Sequence, residues 1–230
     1  MWSKLLPFLL GAACWALLPV RGISAEPGKG VHTLFLVRHG MYDPVKGADS
    51  KTANALNPLG REQAELVAAR LAAWPVKFDA VFSSEFTRAR ETGDIIAAKL
   101  GVKCQRDGLL NESVPPSPDL AKVNQKPVPG AEEQFNQAWA RYAAPTPDAS
   151  RTDILACHGN AIRWFVVKAL GADPYLWTRM VAANCSLAVI KIAPDGGATL
   201  LIYNDVSHLP FEKQTWEMNN KPLWPAPVSK

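Results

Sequence analysis

Histidine and cysteine are both scarce in this chain, four of each in 230 residues. No two cysteines stand in a CxxC spacing, so neither a zinc ribbon nor a disulfide framework is written into the sequence. Cys14 lies in an apolar N-terminal stretch, and the remaining three, Cys104, Cys157 and Cys185, allow at most one bridge; none is expected. No cluster of ligand-type residues is legible, so neither a metal nor any other cofactor is expected. An excess of one charge is missing as well: 25 basic residues face 21 acidic ones, net +4, too even a balance for nucleic-acid binding by charge. There is no internal repeat, and nothing marks a second folded domain.

A long uncharged apolar run occurs at the N-terminus, where Lys4 precedes "LLPFLLGAACWALLPV" and "RGISA" follows. A basic start, an apolar stretch and a small-residue exit read as a secretory signal peptide over residues 1–25, cut after Ala25. Export to a periplasm or to the outside is the corresponding expectation. Pro7 and Pro19 interrupt the run, which is short for a membrane span. A retained anchor is the alternative, and only then would the chain meet a membrane. Losing the segment removes Lys4 and Arg21 but no acid, which takes the net charge from +4 to +2.

Beyond it, with 48% of all residues apolar, strand and helix patterns alternate. "HTLFLVRH", "FDAVFSS" and "TDILACHG" are short continuous apolar runs, the mark of strands buried on both faces. "NPLGREQAELVAARLAAW" reads as a helix capped by Asn57 with Pro58 at its first position. "EFTRARETGDIIAAKLG", a stretch from Ala131 to about Ala143, and "NAIRWFVVKALG" read as further helices. "CSLAVIKIAPDGGATLLIYND" reads as a β-hairpin turning at 194–197. The expectation is an α/β fold: three layers, a mostly parallel sheet flanked by helices, and a C-terminal hairpin. The catalytic domain is expected over residues 31–213, with a tail over 214–230 whose Trp216 and Trp224 fold back on the chain or dock on a partner subunit.

In such sheets the site lies beyond the carboxyl ends of the strands. His39 and His158 each end an apolar run and precede glycine, in "VRHG" and "ACHGN". His32, at a strand start, and His208, in the tail, read as ordinary structural or surface histidines. Ser83 and Ser84 end the second strand, and Arg88 stands near the start of the following helix; Arg90 reads as a solvated surface charge. Arg38, His39, Arg88 and His158 thus gather cationic groups at neighbouring strand ends. Guanidinium forks match phosphate geometry, and a helix N-terminus adds N–H donors, so the awaited partner is a phosphoryl group.

"LVRHG", "SSEFTRARET", an acid after "LLN" and "CHGNAIR", in that order, resemble the histidine phosphatase superfamily, branch 1, also called phosphoglycerate mutase-like. The resemblance runs from about His32 to about Lys213, and within the family it is strongest to the mitochondrial serine/threonine protein phosphatases. It implies His39 as the nucleophile that becomes phosphohistidine. Arg38, Arg88 and His158 would hold the transferring oxygens, and Glu112 would serve as general acid and then base. Asn160 and Tyr42 would line the substrate pocket, although Asn160 would equally cap its helix and Tyr42 equally cover the core. Asn57 stands where the family usually has threonine, a change from one capping residue to another.

The resemblance implies a phosphomonoester hydrolase acting on a phosphopeptide or phosphoprotein or on a small phosphorylated molecule. The interval from Glu112 to His158 is short for a mutase, which needs a longer insertion to keep water out. A mutase and a non-catalytic phosphoryl-binding protein are the alternatives, and a homo-oligomer is possible.

Overall fold

The first strand explains why its sequence is apolar without alternation. In β1 (His32–Arg38), Leu34 and Leu36 are buried in one core while Phe35 and Val37 are buried in another on the opposite face. The first core is filled by α3 (Ala131–Tyr142) and α4 (Gly159–Ala169), the second by α1 (Pro58–Ala72) and α2 (Thr87–Leu100). A strand covered on both sides gains no advantage from polar residues at every second position.

The computed structural model describes residues 30–123, 125–146, 149–216 and 221–222. The segment expected as a signal peptide and Trp224 lie outside them. β2 (Ala80–Ser83), β3 (Cys104–Arg106), β4 (Arg151–Cys157), β5 (Leu187–Ile192) and β6 (Ala198–Asp205) complete a sheet of order β3-β2-β4-β1-β5-β6. The first four strands in that order are parallel, β5 runs against β1, and β6 pairs antiparallel with β5. The expected mostly parallel sheet and C-terminal hairpin are both present. Edge strand β3 escaped the sequence reading because it is short and partly exposed, with no apolar run to betray it. A small ladder of β7 (Thr215–Trp216) and β8 (Lys221–Pro222) follows the main sheet. Cys104, Cys157 and Cys185 are free thiols. No helix of the described residues is long and apolar enough to cross a membrane.

Two features aim the strand ends at one place. First, β4 lies between β1 and β2, with Arg38 beside Cys157 and Ser83 beside Ala156, so the residues that follow emerge side by side. Second, α1 starts hard against the loop after β1. Asn57 caps it by accepting from the Gly60 N–H at 2.9 Å. A Cβ on Gly40 would lie 2.3 Å from the Gly60 carbonyl oxygen, and one on Gly60 would lie 1.9 Å from that of Met41, so only glycine permits this approach.

Candidate active site

His39 follows β1 and is held by backbone: its N–H donates to the Cys157 carbonyl at 2.9 Å. Its ring Nδ1 lies 2.8 Å from the Gly40 carbonyl, which can only accept, so Nδ1 carries the proton. The Arg88 Nε–H donates to the other nitrogen, Nε2, at 3.2 Å. Nε2 therefore presents a lone pair, as a nucleophile requires. Burial drives the His39 proton affinity well below the ordinary histidine range, and the charges of Arg88, Arg38 and His158 push the same way. The imidazole is neutral at pH 7.

His158 has the opposite tautomer, fixed by a chain of hydrogen bonds. The Asn111 side-chain oxygen accepts from the Glu85 N–H at 2.9 Å and from the Ser84 hydroxyl at 2.8 Å. Having given its proton to Asn111, Ser84 Oγ accepts from His158 Nε2 at 2.8 Å. His158 Nδ1 is buried and has no partner among the described residues. Burial, then Arg88 and Arg38, lower its proton affinity well below the usual value.

The guanidiniums complete the cluster. Arg38 Nη1 donates to the Ala182 carbonyl at 2.5 Å, which leaves Nε buried without a partner among the described residues. Arg88 Nη1 is likewise buried and unpartnered among them. Its guanidinium stacks on the Tyr42 ring at 4.7 Å and the Phe86 ring at 5.3 Å. The Tyr42 ring also lies edge-on to His39, with centroids 5.4 Å apart. Burial lowers Arg38 to about 10, still a cation at neutral pH. A side chain at 159 would stand over the Arg38 N–H, since a Cβ there would lie 3.6 Å from Nε. Arg38 is 8% exposed and Arg88 6%, and neither forms an ion pair with an acid among the described residues. Two buried cations with no direct ion pair, only the longer-range attraction of Glu112, are costly unless an anion is to be bound.

Glu112 closes one side, its carboxylate accepting weakly from the Ser113 N–H at 3.3 Å and from the Asn160 N–H in the first turn of α4 at 3.4 Å. Burial raises its proton affinity above the ordinary carboxylate value, against the opposing charges of Arg163, Arg88 and Arg38. A carboxyl that keeps its proton longer suits a general acid.

The structure thus gathers Arg38, His39, Arg88, His158 and Glu112, with Tyr42 as an aromatic wall. Asn160 is present but occupied: its amide donates to the Ser113 carbonyl and the Gln125 side chain, and its oxygen accepts from Arg163. It clamps the loop carrying Glu112. Ser84 was legible as a strand end, but its partner Asn111 was not, although it directly precedes Glu112. Phe86 and Arg163 were missed too; their places in "SSEFTR" and "CHGNAIR" were the available signal. Among the described residues no group of histidine, cysteine, aspartate and glutamate could hold a metal ion.

Preorganised N–H donors around a neutral imidazole whose Nε2 lone pair meets only the Arg88 N–H define an enzyme of phosphoryl transfer. Residues 34–205 match the profile of the histidine phosphatase superfamily (branch 1), and the chain belongs to that family. It is 35% identical over 200 residues to the mitochondrial serine/threonine-protein phosphatase PGAM5 of Xenopus tropicalis, covering 83% of this chain and 70% of the relative. The human PGAM5 is 36% identical over 195 residues, covering 81% of this chain and 67% of the relative. Among solved structures, the phosphoglycerate mutase of Plasmodium falciparum superposes with a TM-score of 0.56 at 25% identity, covering 80% of this chain and 96% of the other. The chain is therefore a phosphatase that hydrolyses phosphomonoesters through a phosphohistidine.

The expectation of export does not stand. The relatives matched over most of the chain are mitochondrial enzymes. The reading rested on an uncharged apolar run, which a retained N-terminal anchor shares with a secretory signal, so residues 1–25 by themselves name no compartment.

Proposed function

We propose that this phosphatase acts on phosphoserine and phosphothreonine in proteins, with His39 as the phosphorylated residue. The observation that carries the reading is the convergence of Arg38 Nε, Arg88 Nη1 and His158 Nδ1, all buried and unpartnered among the described residues, around a neutral imidazole. His39 Nε2 attacks phosphorus in line, and the bond from phosphorus to the serine or threonine oxygen breaks. Glu112 gives its proton to the departing alkoxide. Water then attacks the phosphohistidine, Glu112 takes a proton from it, and the phosphorus–Nε2 bond breaks to release phosphate. Arg38 and Arg88 hold the equatorial oxygens throughout. His158 joins them through Nδ1 once the bound dianion offsets the two arginine charges and lets the ring take a proton. The Tyr42 and Phe86 rings against its guanidinium keep Arg88 in place.

The similarity to serine/threonine-protein phosphatases supports the protein substrate, and their location supports a mitochondrial setting. The proposed catalytic unit is residues 31–213. The test is turnover of a phosphothreonine peptide beside 3-phosphoglycerate, with labelled phosphate followed on the protein. Wild type should favour the peptide and form an acid-labile phosphoprotein that His39→Ala lacks. A label that persists in His39→Ala, or a clear preference for 3-phosphoglycerate, would overturn the respective half of the proposal.

A further inference from the structure

The loop carrying His39 is gripped from behind by a residue far away in the chain. Asn184 donates from Nδ2 to the His39 carbonyl at 3.1 Å, and Gln63 accepts the Met41 N–H at 2.9 Å, so the two amides take the bonds on either side of Gly40. These backbone partners fix both amide orientations. Asn184 must present its oxygen, and Gln63 its NH2, to whatever lies beyond.

What lies beyond, for both, is the hydroxyl of Thr215. It donates to Asn184 Oδ1 at 3.0 Å and accepts from Gln63 Nε2 at 2.9 Å. Only a group that gives one hydrogen bond and takes another fits between them. Gln63 also donates to the Lys213 carbonyl at 2.6 Å, and the Asn184 N–H donates to the Thr215 carbonyl at 2.9 Å. All three side chains are buried, at 0% exposed for Gln63, 1% for Asn184 and 7% for Thr215. We propose that Thr215 is a positioning residue for the phosphoryl transfer, its hydroxyl joining Gln63 to Asn184 and so fixing the backbone that aims the His39 imidazole.

The inference rests on His39 as the nucleophile. Misplacing a reacting atom by about 1 Å can cost up to about a hundredfold in rate, and a slackened loop is a partial misplacement. The side chains of Arg38, Arg88 and His158, which grip the phosphate, bond to other partners than Thr215, Gln63 and Asn184, so substrate affinity should be spared. Thr215→Val keeps the shape and removes the hydroxyl. Its kcat for a phosphothreonine peptide should fall about tenfold with KM within about twofold, and Thr215→Ser should restore kcat to within about twofold. Amide exchange of Met41 should accelerate in Thr215→Val and recover in Thr215→Ser. Gln63→Met, which cuts the other arm, should behave like Thr215→Val and serves if the valine variant does not fold.

A kcat within about twofold of wild type in the variant that folds, with His39→Ala inactive, overturns this inference alone. So does a loss shared by kcat and KM that serine does not rescue. Turnover surviving His39→Ala overturns the nucleophile reading, and this inference with it.

Discussion

Strand β1 carries a histidine at its start and another just past its end, and the two sit in opposite worlds. His32 is buried with both ring nitrogens engaged: Nδ1 with the Ala144 carbonyl at 3.0 Å, Nε2 with the Asp153 carboxylate at 2.9 Å. Arg151 donates to the same carboxylate at 2.5 Å, and nearby Arg141 pairs with Asp107 at 3.1 Å. Burial alone would raise the Asp153 proton affinity, and these hydrogen bonds reverse it to below the ordinary value. At the other end His39 faces Arg88, Arg38 and His158, which all carry or can carry the same sign of charge. One end of the sheet pairs its charges, leaving Asp153 Oδ1 as a buried oxygen without a partner among the described residues. The other withholds counter-ions and keeps N–H donors idle, which is stable only as a place for an anion to land.

The strongest way to break that contrast is to delete each histidine in turn. His39→Ala should lower turnover by about 10⁴-fold or more while the protein stays folded, since the neutral ring it removes gives up one hydrogen bond from Arg88. His32→Ala should do the reverse. Activity persists, but the buried Asp153 loses a donor and stability drops by about 1–3 kcal/mol. Kinetics and denaturant unfolding on both variants decide it, and equal activity losses would erase the distinction between the ends.

Glu112 sharpens the comparison, being the acid that stands beside the open end without neutralising it. Glu112→Gln should cut kcat/KM for phosphothreonine peptides by about 10²–10⁴-fold, because the alkoxide then leaves unprotonated. For p-nitrophenyl phosphate, whose phenolate leaves readily, the loss should be much smaller. With Glu112 as the proposed acid, the first step needs its proton, so wild-type activity should decline on the alkaline side as it ionises. Its raised proton affinity carries that decline to higher pH than an ordinary glutamate would allow. Leaving-group dependence that is unchanged in Glu112→Gln would remove its role as acid.

A phosphate analogue tests the idle donors directly. Vanadate at about 100 times its Kd should stabilise the fold by about 2.7 kcal/mol, and Arg88→Ala should abolish most of that gain. Arg151→Ala, at the closed end, should leave it intact.

The same two ends show what the sequence could reveal. Arg38, His39 and His158 were legible because an apolar run ending in a polar residue and a glycine marks a strand end, and parallel strands bring such ends together. Glu112 came from the family resemblance, since the proline-rich segment around it has no periodicity to place it. The Asn111–Ser84–His158 chain and the Thr215–Gln63–Asn184 network were not legible. They join residues 27 to 152 positions apart, and nothing in a single sequence records a hydrogen bond across that separation. β3 was hidden for a local reason, as three residues, two of them exposed, carry too little apolar signal.

A pH effect follows from the burial of two histidines beside the arginines, in the protein without ligand. His39 and His158 have folded-state proton affinities well below the usual histidine value near 6.5, so below that pH the unfolded chain binds more protons than the folded one. Stability therefore rises with pH through the window under about 6.5 and is lost as pH falls, by up to about 1.4 kcal/mol per pH unit for each histidine. His208, lowered to about 4 chiefly by burial, adds to the same slope. Glu112, raised above its unfolded value, opposes it where its own window overlaps. Denaturant unfolding of wild type from pH 7.5 to 5 should show the net decline. His158→Asn should flatten it, and in wild type bound vanadate should also flatten it by giving protonated His158 a partner. A slope unchanged by either would mean that the open end of the sheet carries no net electrostatic strain, and that the contrast with the His32 end is one of contacts alone.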